Sequence, residues 1–513
     1  MERPSFRHPD GLPFNAAYID LVTRTNVNVE CADSLENAGH SFTTNGDVLV
    51  LAGHKPQSKY PEGRRGLRIF NMTSAVLQDA GSQLQYGHWL ATATQLPNGM
   101  ITVMGDSPSP VSPDELGPTN LGAVVKNAFY EVWDPSNATK PTLVFQMSPA
   151  FMRHTKSVLY PFVFVLPTGD IFVWCNTYGE IIAPLTGRTV AVLPNWSALA
   201  PSMMTQYPFS GSAVMLPLTP ENNYTTEVII FGGQWSFGGI NTSAVNLSMR
   251  LRVNATADVG VATDDGWQME EMPSPRVSHS SVLLPNGKVI LIGGAKAGLL
   301  GDAAAGGVAM LNDPNFWPVL YSPSAPEGAR YETLARTQIA RLLHSTAGLT
   351  TNGTIFVAGS DRSARFWSTA NYSECPTAFT EYRVEIFSPP FVLGADYATV
   401  HPTILDAPAE LRFGATALID FSILDARANV TSAVLVAPSS DTHTFNMHQR
   451  LVGLAILSTT TDGESGKRSI TVRGPPNANI APPGMYMLFL LNGDVYGPAK
   501  WIKVLKQCCS ARR

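Results

Sequence analysis

The sequence predicts an all-β chain: a β-propeller followed by an immunoglobulin-like β-sandwich. Three observations predict it. A hairpin pattern returns six times, helical periodicity is almost absent, and the pattern gives way near residue 388 to a different spacing of short strands. The repeated unit is an apolar strand, a tight turn with Asn-Gly or a relative, a second apolar strand, and then Gly. It reads most cleanly as HSSVLLPNGKVILIGG at 279–294. It returns at 39–53, 91–106, 162–175, 211–233 and 344–360. Asn-Gly between apolar runs is a strong hairpin signal, because both central residues of a two-residue turn need positive φ. Copies starting about 50–70 residues apart fit the kelch type of propeller blade with variable loops. The stretch 329–343 is the main helix-like exception, and it reads as a short helical turn or a loop.

Beyond Ser388 come the short segments ALIDFSI, SAVLVAP, LVGLAILS, KRSITVRG and GMYMLFLLN, separated by Pro and Gly turns. Strands at that spacing indicate a small sandwich. The expected domains are therefore a propeller over 1–387, a sandwich over 388–507 and a tail over 508–513.

Composition narrows the function classes. The 513 residues are 44% hydrophobic and only 15% charged, with a net charge of −5. That balance gives no electrostatic reason for a nucleic-acid partner. No apolar run approaches the roughly 18–20 residues of a membrane-spanning helix. Five cysteines (Cys31, Cys175, Cys375, Cys508, Cys509) are too few for a disulfide scaffold and lack C-x-x-C spacing. Asn-x-Ser/Thr sequons begin at Asn71, Asn137, Asn195, Asn223, Asn241, Asn246, Asn254, Asn352, Asn371 and Asn429. Composition alone would give about four, so the excess points to a glycoprotein of the secretory route. The first twenty residues hold no apolar leader core. A secreted protein is expected, with its leader outside this sequence.

Specific segments resemble a known family. RVEIFSPPF, THTFNMHQRLVGL (442–454) and APPGMYMLFLLNGDVYGPAKWIKV (481–504) look like the C-terminal domain of glyoxal oxidases. HWLATATQLPNG, YPFSGSAVMLPL, SPRVSHSSVLLPNGKVILIGGAKAG and IARLLHSTAGLTTNG resemble motifs of the same family, in the same order, between Ala16 and Val504. The resemblance implies a seven-bladed propeller and an early-set immunoglobulin-like domain, as in glyoxal and galactose oxidases. The family's first unit, a H-x-x-L-L-P-x-G-K hairpin, has no counterpart here.

The resemblance also implies a chemistry. Members are single-copper radical oxidases that oxidise aldehydes or primary alcohols and reduce O2 to H2O2. Their copper sits between two histidines, an axial tyrosine, and a second tyrosine joined to a cysteine by a thioether. Imidazole and phenolate suit Cu(II), and the modified tyrosine stores the second oxidising equivalent. Carried over by motif, the histidines are His344 and His443. The axial tyrosine position is Leu343, the cross-linked tyrosine position is Leu90, and the candidate thioether cysteine is Cys31. Leucine neither ligates copper nor holds a radical. Tyr86 lies four residues from Leu90, about 13 Å along a strand, too far to take its place. Copper binding by His344 and His443 would be weak, and no intact Tyr-Cys radical cofactor is expected.

His40, His54, His154, His279, His401 and His448 make no metal spacing and read as turn, surface or core residues. Trp89, Trp174, Trp235, Trp267, Trp317 and Trp367 read as packing between blades rather than as sugar platforms. The expectation is a non-catalytic, extracellular member of this family that binds a carbohydrate or a small aldehyde. The rival readings are an enzyme of altered metal chemistry and a conventional copper oxidase.

Overall fold

The structure is a computed structural model. It describes residues 16–506, apart from 57–59, 72–73, 75, 106–126, 156–157, 237–240, 257–259, 264–265, 301–309, 361–380, 382 and 462–467. Asn371, Cys375, Trp367 and the tail lie outside the described residues.

Each recurring hairpin becomes the two inner strands of a blade. Blade 1 runs Gly39–Phe42, Val48–Leu51, Gly66–Asn71 and Val76–Gln83. Blade 2 runs Thr92–Gln95, Ile101–Met104, Phe129–Trp133 and Leu143–Gln146. Blade 3 runs Phe162–Val165, Ile171–Cys175, Tyr178–Ala183 and Arg188–Val192. Blade 4 starts Ser212–Met215, Thr226–Phe231 and Leu247–Thr256, and both Gly260–Thr263 and Gln268–Glu271 pair with its third strand. Blade 5 runs Val277–Leu283, Val289–Leu299, Val319–Tyr321 and Tyr331–Thr333, with Met310–Pro314 beside its second strand. Blade 6 has Thr346–Leu349, Ile355–Ala358 and Glu385–Phe387.

The described residues thus form six blades, not the seven expected. All six copies of the repeat are used. The remaining propeller-side sheet pairs only Ala16–Asp20 with Thr25–Val29, and Glu30 bridges to Val76 at the outer edge of blade 1. The segment at 329–343 is not helical; it supplies the strand Tyr331–Thr333 and then irregular chain.

Inner strands of blades 2 and 3 are buried on both faces. Neighbouring blades cover both sides, so blade 3's inner strands are continuously apolar, whereas blade 2 buries the polar Thr92, Thr94 and Gln95 in its first strand. Blades 3 and 4 join through Trp174, Trp196 and Trp267, whose ring centroids lie 4.5–4.9 Å apart. The indole of Trp267 donates to the Pro194 carbonyl at 2.6 Å. Tilted and edge-on contacts of this kind favour the aromatic quadrupole.

The C-terminal domain is a nine-stranded sheet folded on itself. Its long strand Leu451–Thr461 pairs first with Ser432–Val436 and then, from Ala455 on, with Arg468–Arg473, in a ladder with an irregularity at Ile456/Ser458. Such an irregularity bends a strand and lets one sheet become two packed layers. The layers enclose Leu435, Val452, Ile470, Val472, Leu488 and Val504. No helix among the described residues is long and apolar enough to cross a membrane.

Candidate metal centre

At one end of the propeller, each blade carries a residue at positive φ at the start of its inner strand, two residues ahead of the strand in five blades and as its second residue in blade 5. These are Asn37 (63°), Leu90 (51°), Tyr160 (47°), Ser210 (24°), Ser278 (62°) and His344 (60°), one per blade. Non-glycine residues seldom adopt this conformation, and strain of that kind costs of order 1–3 kcal/mol each and gathers at functional sites. The repeated left-handed turn sets six residues around the propeller axis.

The sandwich completes the site with a finger. Asp441–Thr442 pairs with Phe445–Asn446, leaving the two-residue tip His443-Thr444 at φ 47° and 76°. Positive φ at both tip residues is the pattern of a type I′ hairpin, made here without glycine. The Thr444 hydroxyl donates to the Gly211 carbonyl of blade 4 at 2.5 Å. The Asp441 carboxylate accepts from the Ser280 hydroxyl of blade 5 at 2.8 Å and the Ala347 amide of blade 6 at 2.9 Å. Ser440 bonds the imidazole and carbonyl of His40 in blade 1. Phe445 packs on Phe162 and Phe164 of blade 3.

His443 is therefore held deep in the axis. Its ring meets His344 edge-on at 4.9 Å, stacks on Tyr160 at 4.7 Å and meets Tyr207 edge-on at 5.5 Å. The Thr442 hydroxyl lies 2.9 Å from its Nδ1. Burial, reinforced by His344 and His40, holds the imidazole well below its usual range and keeps it neutral. Burial likewise raises the Tyr160 phenol well above its usual range, and its hydroxyl donates to the Ala38 carbonyl at 3.4 Å.

Leu90 and Leu343 are 1% and 2% exposed and belong to the same core cluster as Tyr160, Tyr207 and Phe445. They fill the axis end rather than line an opening. Leu90 is fixed by its carbonyl, which accepts from the Tyr160 amide at 2.7 Å. Two residues upstream, His88 is completely buried between the Gly105 carbonyl and Glu131. Burial pushes the Glu131 carboxyl up, but bonds from His88, Thr142 and Gln85 outweigh it and hold the group below its ordinary range.

Residues 32–391 match the family described as glyoxal oxidase N-terminus, and residues 401–504 match the galactose oxidase-like early set domain.

The chain belongs to the glyoxal oxidase family.

It is 31% identical to an aldehyde oxidase GLOX of Vitis pseudoreticulata over 425 residues, 82% of this chain and 73% of that one. It is 30% identical to aldehyde oxidase GLOX1 of Arabidopsis thaliana over 438 residues, 81% of this chain and 63% of that one. Among solved structures, a fungal alcohol oxidase in complex with copper superposes with a TM-score of 0.66 at 19% identity, covering 95% of this chain and 90% of that one. At that identity the likeness is one of fold.

The glyoxal oxidase family is copper-dependent, so the donor set can be tested against copper. Of the residues matched by motif, the fold brings His344, His443, Leu90 and Leu343 to one place, and only the two imidazoles are donors. Among the described residues, no group of three or more His, Cys, Asp or Glu side chains is placed to hold a metal ion. The positions matched by motif to the family's two tyrosines therefore supply no phenol, and the phenols against His443 are those of Tyr160 and Tyr207. Cys31 is not brought to this site. It packs at the outer side of blade 1 with Phe70 and Leu77, and its thiol bonds the Asp33 carbonyl at 3.3 Å. Burial pushes that thiol up to about 11, away from the reactive thiolate form. Tyr86 stacks on Phe129 at the surface of blade 2.

Motif reading missed Tyr160, Tyr207 and His40. Tyr160 stands at the same place in its repeat as Leu90 and His344 do in theirs, so aligning the repeats internally would have found it. Of the sequons, Asn71, Asn137, Asn195, Asn223, Asn241, Asn352 and Asn429 are exposed, while Asn246 and Asn254 are half-buried.

Proposed function

We propose that this glyoxal oxidase-family protein does not carry out copper-radical oxidation and serves as an extracellular, glycosylated binding protein. The observation that carries the reading is the burial of Leu90 and Leu343 beside His344 and His443. Two imidazoles without phenolate at those positions offer Cu(II) too few donors and no organic group to share the oxidation. The exposed sequons support the extracellular part, since a glycan needs an accessible asparagine.

The test is direct. Copper-loaded protein given glyoxal, methylglyoxal or galactose is expected to release peroxide at the level of a His344→Ala control. Turnover well above that control overturns the reading. Introducing Leu90→Tyr and Leu343→Tyr together is expected to raise Cu(II) affinity at least about tenfold, or 1.4 kcal/mol, because two phenolate donors return to the histidine pair.

One observation favours a second reading, a copper-dependent oxidase of aldehydes or primary alcohols with an altered donor set: Tyr160 and Tyr207 both touch His443. Under that reading Tyr160→Phe abolishes peroxide release and weakens copper uptake. Under the first it changes neither.

A further inference from the structure

Four arginines are buried among the described residues: Arg68, Arg276, Arg341 and Arg450. A guanidinium taken out of water needs a counter-charge, because a buried charge left uncompensated is strongly destabilising. Arg68 has the Asp33 carboxylate at 2.6 Å, and Arg341 has that of Glu385 at 2.7 Å. Arg450 pairs with no carboxylate among the described residues. Its partners are the carbonyls of Ile480, Asn479 and Val165. Burial pulls the guanidinium down to about 10, which still leaves it cationic at neutral pH.

Beside Arg450 lies a cavity of about 30 Å³, lined also by Thr94, Val165, Met215, Met447 and His448. A space needs roughly 10–15 Å³ to hold one water, so this one takes a single, slightly larger particle. Donors around it are in surplus. The Thr94 hydroxyl is buried and has no hydrogen-bond partner among the described residues. A guanidinium carries five N–H groups; three of Arg450's go to the carbonyls, and two are left. Neighbouring acceptors, by contrast, are already engaged. The Val165 carbonyl takes Arg450, the Pro482 carbonyl takes the Tyr486 hydroxyl at 2.8 Å, and the Pro483 carbonyl takes Gln95 at 2.9 Å.

We propose that this cavity is a halide site, holding one chloride-sized anion between Thr94 and Arg450. A halide only accepts hydrogen bonds, which matches a lining with spare donors and occupied acceptors. It also supplies the missing negative charge, and hydrogen bonds to an ion are stronger than those to a neutral acceptor. Water can satisfy the Thr94 hydroxyl but brings no charge. Thr94 belongs to the first strand of blade 2 and Arg450 to the chain returning from the finger. The anion thus ties the two domains together. The site involves no copper and is independent of the reading on oxidation.

The test uses metal-free full-length protein. Its Tm is followed as sodium gluconate, an anion too large for the cavity, is replaced by sodium chloride at constant ionic strength. A saturable rise is expected, since a ligand held by the native state alone stabilises it by mass action, and bromide should reproduce it. Thr94→Val is expected to weaken the halide at least about fivefold, whereas Thr94→Ser keeps it. Crystals grown in sodium bromide are expected to show an anomalous peak within hydrogen-bonding distance of Arg450 and Thr94. A Tm indifferent to the exchange overturns the proposal, as does a chloride response that Thr94→Val leaves intact. Water in the cavity without an anomalous signal, or bromide bound at crystal concentration only, overturns it too. Those two results are read on the parent chain, so they decide the matter even where Thr94→Val does not fold.

Discussion

Between pH 7 and pH 4, His40 and His448 together are expected to withdraw about 3 kcal/mol of folding stability. Burial lowers each imidazole to about 4. His40 bonds Ser440 of the finger; His448 packs its ring on Phe42 at 4.9 Å and lies beside Ser41 and Arg450. An unfolded histidine takes up its proton near pH 6.5, and the native chain resists until about 4. Proton uptake by the unfolded state therefore removes stability as pH falls through that window, by up to about 1.4 kcal/mol per unit per residue. Both rings are only half-buried by surface area, and the sum is halved for that reason. Asp441 works in the opposite direction. Burial raises its carboxyl to about 6, so it adds stability as pH falls from 6 towards 4, about 1 kcal/mol after the same allowance. Denaturant unfolding at pH 7 and pH 4.5 checks the result. His448→Gln should flatten the acid slope relative to the parent chain, and an unchanged slope would exclude His448 as a contributor.

Arg450→Met is expected to destabilise the protein by about 3–5 kcal/mol. The guanidinium lies buried where the finger returns to the sandwich. It donates to the Ile480 carbonyl at 2.6 Å, the Asn479 carbonyl at 2.6 Å and the Val165 carbonyl of blade 3 at 3.0 Å. Methionine keeps most of the stem volume but leaves three buried acceptors without a donor, at about 1–3 kcal/mol each before relaxation. Loss of less than about 1 kcal/mol would mean that water replaces the guanidinium. A small cavity alongside, lined by Gln95, Met447, His448 and Tyr486, has room for about one water molecule. The same variant should loosen His443, since Arg450 anchors one end of the segment that carries it.

The blades were legible because their cause is local. Asn45-Gly46, Asn98-Gly99, Asn286-Gly287 and Asn352-Gly353 all turn inner hairpins where the pattern places them, although positive φ falls on the glycine alone and not on both residues as expected. The pair His344 and His443 was legible through motif, and the fold does join them. The rest depends on long-range geometry. The finger tip has positive φ at His443 and Thr444 with no glycine to announce it. Tyr160 reaches the axis only because blade 3 repeats the turn of blade 2. Cys31 precedes blade 1 in sequence, yet its side chain faces the blade's outer layer, and no local pattern tells those sides apart. Trp317 looks like any propeller tryptophan until the chain around it is folded, and then stands 43% exposed rather than packed between blades. The number of blades depends on how the ring closes, which no single repeat encodes.

The left-handed turns at the axis have a consequence for how such a site changes. None of Asn37, Leu90, Tyr160, Ser210, Ser278 and His344 is β-branched, in keeping with the preference of that backbone. Main-chain geometry recurs at each position and carries Tyr160 and His344 onto His443, so a single codon can exchange phenol for alkyl or imidazole for amide while the scaffold stays as it was. Catalysis on this architecture can thus be switched off, or redirected, faster than the fold itself can drift.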